Sequence, residues 1–344
     1  MTDLTIFAAP LQGFTESAWR NAHEKIFGNI DVYYIPFIRV EKGTIRNKDL
    51  REVSHQANKV RRAIPQIIAS TPPEVQTLIP YLSEQGYKEI DLNMGCPFPL
   101  IANRQKGSGI LPHPEIVANL LQEIAHYPEI KFTVKMRLGW QSEEEWKQIL
   151  PLLNHSCVQQ ITLHPRIGKQ QYKGSTNLEM FKSFYELCEL PLVYNGDLNT
   201  IEDIEKIKML FPNIKGIMLG RGLLANPALA ETLRTGKVYT YTELTRKIYD
   251  MHQLIEKELR QTIEGGDNQL LQKLKTMWEY LLPDMEKKSK KAILKAREIT
   301  EYQKKNKRSP VVISINQQRP RSPIITQPAI CDTLLQPTCR LFPN

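Results

Sequence analysis

The run Glu89-Ile90-Asp91-Leu92-Asn93-Met94-Gly95-Cys96-Pro97 closes an apolar stretch on a polar Asn and then sets a cysteine between a glycine and a proline. Such residues feed a strand into a turn, which puts Asn93 at a strand tip and Cys96 on an exposed loop. Most cysteines are buried and inert, whereas a thiol held on a loop can act as nucleophile, redox centre or general acid. No resolving Cys lies nearby, which fits proton donation better than disulfide reduction. Lys135 sits inside the strand-like Thr133-Val134-Lys135-Met136-Arg137, where its ammonium could stabilise a ring gaining negative charge or simply snorkel at a strand end. His164 closes Ile161-Thr162-Leu163-His164-Pro165-Arg166, a place where a lone His is more often structural than functional. Asn195-Gly196-Asp197 and Leu219-Gly220-Arg221-Gly222 combine close-approach glycines with a guanidinium, a set suited to phosphate oxygens, although either alone reads as an ordinary turn.

The elements that must position these groups alternate short apolar runs with longer amphipathic ones over the first 235 residues, the pattern of repeated βα units. Strands are predicted at 5–9, 32–37, 66–70, 89–93, 132–137, 160–164, 192–195 and 216–219. Helices are predicted at 73–85, 114–126, 143–153, 178–187 and 201–211, with hydroxyl residues ahead of Pro or Glu at two starts. Eight units in this length fit an α/β fold of the (β/α)8 TIM barrel type, with a doubly wound open sheet as the alternative. In a barrel, Gln12, Asn93, Cys96, Lys135, His164, Asn195, Asp197, Gly220 and Arg221 all fall at the strand ends where barrel active sites lie. The loop 95–109 is long for such a connection and suggests a lid.

Beyond residue 239 the pattern becomes wholly helical, at 241–262, 268–282 and 285–305. The formal net charge is +9. Residues 284–308 hold ten Lys/Arg against four Asp/Glu, and 309–344 hold three Arg against one Asp, so nearly all of the excess lies at this end. A near-neutral body with a basic appendage suggests nucleic acid as a partner, or else a solvated helix face. The division expected is 1–238 catalytic barrel, 239–308 basic helical domain, and 309–344 a disordered Pro-rich tail. The five cysteines are scattered without a C-x-x-C pair, which argues against a disulfide framework or metal site. No signal-peptide pattern and no apolar run long enough for a membrane span are read, so a cytoplasmic monomer is expected, with no membrane partner and no metal.

Taken in order, Ala9-Pro10-Leu11-Gln12-Gly13-Phe14-Thr15, the Asn93–Pro97 box, Lys106-Gly107-Ser108-Gly109, Lys135-Met136-Arg137-Leu138-Gly139, His164-Pro165-Arg166, Tyr194-Asn195-Gly196-Asp197 and Gly220-Arg221-Gly222 resemble the tRNA-dihydrouridine synthase family. The resemblance is close over residues 4–235 and looser to about 305. It implies a TIM barrel holding FMN, a helical tRNA-binding domain, and NADPH or NADH as electron donor. The reaction it implies is reduction of uridine in tRNA, with hydride passing from flavin N5 to C6 and a proton from Cys96 to C5. By the same resemblance Pro10, Leu11, Gln12 and Gln66 meet the flavin ring, and Lys135 meets its N1/O2 side. Asn195, Gly196, Asp197, Gly220 and Arg221 hold its phosphate. Asn93, His164 and Arg166 meet the flavin edge, the uracil or an RNA phosphate. Leu11 stands where the family has Met, a volume-conserving change. Pro165 and Ile167 replace Gly and Thr of the family's His-Gly-Arg-Thr, which stiffens that loop and removes a hydroxyl.

Two other readings compete. A flavin barrel of the dihydroorotate dehydrogenase type also sets a Cys near an Asn, but has no use for a basic helical appendage. A tRNA-binding protein without turnover would not need Cys96 and Lys135 intact.

Overall fold

A computed structural model describes residues 4–306; the tail expected at 309–344 lies outside the described residues. Eight parallel strands form a closed barrel: β1 (Thr5–Ala8), β2 (Val32–Ile38), β3 (Ala63–Ile67), β4 (Glu89–Met94), β5 (Lys131–Gly139), β6 (Val158–Ile167), β7 (Leu192–Asn195) and β8 (Gly216–Leu219). Each pairs with the next in chain order. The register Thr5↔Gly216 to Ala8↔Leu219 closes β8 onto β1, which rules out the open-sheet alternative. Between the strands run α1 (Ser17–Ile26), α2 (Asn47–Val53), α3 (Pro72–Glu84), α4 (Pro114–Ile124), α5 (Trp146–Asn154), α6 (Leu178–Leu187), α7 (Ile201–Leu210) and α8 (Leu229–Thr235).

The third strand begins three residues earlier than its predicted span. Pro65 lacks a ladder donor and so reads as a strand boundary, yet it pairs in register with Ile35. The ladder is irregular between Ile35 and Ile38, next to Pro36. Helices α1 and α2 and a small hairpin (Val40–Glu41 with Thr44–Ile45) fill a stretch where the sequence reading predicts no element.

Alternation along the strands divides the core in two. Outward-facing side chains and the helices build one large apolar cluster. Phe7, Ala9, Val32, Tyr34, Ile64, Val193 and Met218 form a separate small cluster inside the barrel. Apart from Ile64, the inward positions of β3 to β6 are instead polar, including Gln66, Asp91, Asn93, Thr133, Lys135 and His164. The barrel interior is therefore apolar on one side and polar on the other, and the polar side carries the candidate chemistry.

Three further helices follow, α9 (Tyr241–Thr262), α10 (Gly266–Thr276) and α11 (Lys287–Leu294), with a last helical stretch at 299–306. Helix α9 starts on a capping box in which Thr240 and Glu243 satisfy each other's amides. Its stripe of Ile248, Met251, Ile255 and Leu259 is buried, and α9 packs against α1. Each such side chain contributes on the order of 2 kcal/mol by burial, enough to fix the helical region firmly on the barrel. Polar contacts add to the seam: Asn21 Nδ2 donates to Glu258 Oε1 at 3.0 Å, Lys273 pairs with Glu16, and the Leu282 N–H donates to the Ala225 carbonyl at 3.1 Å. The single helix predicted at 285–305 is broken after Lys295. Lys275 binds the Ala296 carbonyl there, and Glu301 takes the Arg297 N–H as the next helix begins. No helix among the described residues is long and apolar enough to cross a membrane.

Candidate active site

The C-terminal ends of the barrel strands surround a cavity of about 780 Å³. Pro10, Leu11 and Gln12 after β1, Asn93 in β4 and Cys96 after it, Lys135 in β5, His164 in β6, Asn195 at the end of β7 with Gly196 and Asp197 after it, and Gly220 and Arg221 after β8 all line it. Gln66 and Arg166 do not.

Gln66 is fully buried one layer below. Its Nε2 donates to Asp91 Oδ2 at 2.6 Å, and its Oε1 accepts from Asn93 Nδ2 at 2.7 Å. Asn93 Oδ1 in turn accepts the N–H groups of Gly95 (3.1 Å) and Cys96 (2.8 Å). A carboxylate only accepts, so Asp91 fixes which end of the Gln66 amide faces it, and that choice fixes the Asn93 amide and the loop carrying the thiol. Thr133 Oγ1 gives Asp91 a second donor at 2.6 Å. Burial lifts Asp91 to about 6 despite those donors and nearby Lys135. Gln66 thus has a supporting role beneath the loop, and both ends of the Asn93 amide have partners within the protein.

Cys96 is half-buried, and burial pushes its thiol above the ordinary range. The Phe98 N–H and the cations Arg137, Lys135 and Arg39 pull the other way without winning. The thiol therefore keeps its proton at neutral pH, the state a general acid needs. Lys135 lies on the same cavity and makes no hydrogen bond or ion pair with the described residues; burial and the neighbouring Arg137 lower it to about 8. His164 Nε2 lies 2.9 Å from Arg166 NH1. Because a guanidinium only donates, Nε2 must be the acceptor and the ring proton sits on Nδ1. Burial first, then Arg137, Lys135, Arg166 and Arg221, hold this imidazole well below its usual pKa, consistent with a neutral ring.

Arg166 is buried, with bonds to His164, the Gly174 carbonyl and Asp197. Asp197 also accepts from Arg221 at 3.0 Å. Its carboxylate holds two guanidiniums in place instead of meeting an anion itself. The two glycine loops pack backbone to backbone: a Cβ on Gly222 would come 2.0 Å from the Leu198 carbonyl, and one on Gly196 2.7 Å from Thr176 and 2.9 Å from His164. An unpartnered ammonium, a neutral imidazole with a free N–H, and Arg221 beside a glycine cradle are a donor set that fits a planar ring bearing a phosphate.

The expected lid is largely tied down. The 3-10 turn Gly107–Ile110 is buried under Cys96, with the Ser108 N–H and hydroxyl both donating to the Cys96 carbonyl at 3.0 and 2.9 Å. Only the tip stands out, with Phe98 57% and Leu100 68% exposed at the mouth. Functional groups that the sequence reading did not single out are Arg39, Arg46, Tyr172 and Tyr280. Arg137, within the Lys135-Met136-Arg137 motif, shares the inward phase of Thr133 and Lys135 and lines the cavity. Its guanidinium donates to the carbonyls of Gly95, Ile167 and Gln171, bracing the loops on both sides. Tyr280 arrives from the helical region, and no local pattern points to it.

A family model described as dihydrouridine synthase matches residues 7–317. The chain is similar to tRNA-dihydrouridine synthase B of Pasteurella multocida, 25% identical over 231 residues, covering 67% of this chain and 69% of the relative. It is similar to tRNA-dihydrouridine(16) synthase of Pseudomonas syringae pv. tomato, 28% identical over 238 residues, covering 67% and 74%. A probable tRNA-dihydrouridine synthase of Rickettsia bellii is 27% identical over 241 residues, covering 67% and 72%.

Proposed function

The chain belongs to the dihydrouridine synthase family, and from that premise we propose that it reduces uridine in tRNA to 5,6-dihydrouridine, with FMN bound in the barrel mouth and NADPH or NADH as electron donor. The observation that carries this reading is a protonated thiol, Cys96, and an unpartnered ammonium, Lys135, lining one ring-sized cavity. When bound, a flavin would supply the two-electron chemistry that links reduced nicotinamide to hydride delivery at uracil C6.

The chain's own residues do the rest. Lys135 donates to the N1/O2 side of the ring, where charge gathers on reduction. His164 offers Nδ1–H to a ring acceptor, and the 10–12 backbone borders the ring. The Asn195–Gly196 and Gly220–Arg221 loops take the phosphate, with Asp197 fixing Arg221. Cys96 gives its proton to uracil C5: the S–H bond breaks, a C5–H bond forms, and the thiolate regains a proton from water. A uridine in folded RNA must be turned out of its stack to reach this cavity.

Purified protein should be yellow or take up FMN, and with NADPH it should place dihydrouridine in unmodified tRNA. A colourless protein that cannot be reconstituted contradicts the flavin assignment. A flavin-loaded protein that reduces a free pyrimidine but not tRNA contradicts the substrate.

A further inference from the structure

Beside the catalytic cavity, between the barrel mouth and the helical region, lies an open groove of about 790 Å³. It shares Tyr172, Asp197, Asn199, Arg221 and Tyr280 with the cavity, so the two spaces are continuous. Its far side is Tyr241 and Leu244 on α9 together with the turn at 282–285 that leads into α11. Three tyrosines therefore line one groove, and Tyr172 and Tyr241 are exposed. The Tyr172 ring is braced by two guanidiniums, Arg221 at 4.6 Å and Arg137 at 5.4 Å from its centroid. Glu279 and Asp284 also line the groove. Their carboxylates accept from a base N–H or a ribose hydroxyl. Aromatic faces with acceptors beside them suit a nucleobase.

We propose that this groove binds the base of a nucleotide adjacent to the target uridine, stacked on its tyrosines. The proposal rests on the uridine-reduction reading above. Turning the uridine out removes a stacking partner from its neighbours, and the strand must pass within one nucleotide of the mouth. The groove starts at that mouth and ends where α11 begins its lysine run, so a neighbouring base can stack there while the backbone continues toward the basic helices.

Tyr241 is outside the catalytic cavity and on the first turn of α9, so it tests the groove alone. Tyr241→Ala should raise the KM for tRNA about tenfold, the effect of removing one base–aromatic stack, with kcat and flavin reduction by NADPH unchanged. Tyr241→Phe should behave as wild type. With tRNA carrying an abasic nucleotide on one or the other side of the target uridine, the Tyr241→Ala penalty should vanish for one of the two. An Ala penalty that persists on both abasic RNAs, or no penalty on intact tRNA, overturns the proposal. A raised KM for NADPH instead assigns the groove to the reductant and overturns it too. Wild-type enzyme that leaves tRNA unmodified overturns the underlying reading, a result distinguishable from all of these.

Discussion

Cys96 owes its position to a relay of side chains that begins below the cavity. The order Asp91, Gln66, Asn93, Cys96 runs from a buried acceptor to the loop amides, and each link leaves the next amide one orientation. Gln66→Met breaks the first two links and leaves Asp91 Oδ2 and Asn93 Nδ2 each without a partner, so it should lower stability by about 1–3 kcal/mol. It should also slow uridine reduction at least about tenfold while flavin reduction by NADPH is retained. Thermal unfolding and separated half-reactions measure both; an unchanged uridine step would show that the thiol is positioned otherwise. Lys135 gives a pH signature. In the free protein it titrates near 8, and an acceptor placed on its ammonium favours the charged form and raises that value. FMN affinity should then be flat below about pH 8 and weaken as pH rises above it, because binding takes up a proton there. Lys135→Met should bind FMN more weakly with no pH dependence in that range. A wild-type affinity that is constant from pH 7 to 10 contradicts the contact.

Among the elements, the turn under Cys96 is the most exacting. Gly107 has φ +58°, and a Cβ there would lie 2.7 Å from the Cys96 carbonyl and 2.8 Å from its Cβ. Gly107→Ala should therefore displace the thiol and reduce uridine turnover at least about tenfold in a protein that still binds FMN, as a flavin titration beside the tRNA assay would show. Such an effect is not legible in the sequence, where the 95–109 stretch reads as a free lid; burial of Gly107–Ile110 is a tertiary fact. What is legible follows from period and position. Seven strands lie near their predicted bounds, and polar residues at strand ends mark the cavity, because alternation forces both. The third strand is displaced from its prediction by Pro65, α2 and the hairpin are too short to carry a clean period, and α1 is amphipathic but starts without a side-chain cap. Gln66 is a site residue only by the family resemblance, and its depth in the barrel cannot be seen from one strand alone. Arg166, two residues beyond His164, is drawn under the cavity rim by Asp197 on a different loop.

On the scale of the whole molecule, a near-neutral barrel carries a basic helical region that shares its apolar core, so the proposed RNA, if held on one, would be presented directly to the other. Lys287, Lys288 and Lys291 are exposed on α11, whereas Lys290 is turned onto the Leu281 carbonyl and serves the fold. Replacing those three exposed lysines by Gln should weaken tRNA binding and flatten its salt dependence, by roughly 0.7–0.9 in slope for each phosphate no longer neutralised, with NADPH oxidation unaffected. An unchanged slope would make α11 only a solvated face. The account as a whole turns on Cys96 acting as the acid toward a base in RNA. Its most direct test is the reoxidation of NADPH-reduced, FMN-loaded enzyme by unmodified tRNA without oxygen. Wild-type protein should be reoxidised with formation of dihydrouridine, and Cys96→Ala should be reduced by NADPH normally yet react with tRNA at least about 100-fold more slowly. Equal reoxidation rates for the two proteins would contradict the account.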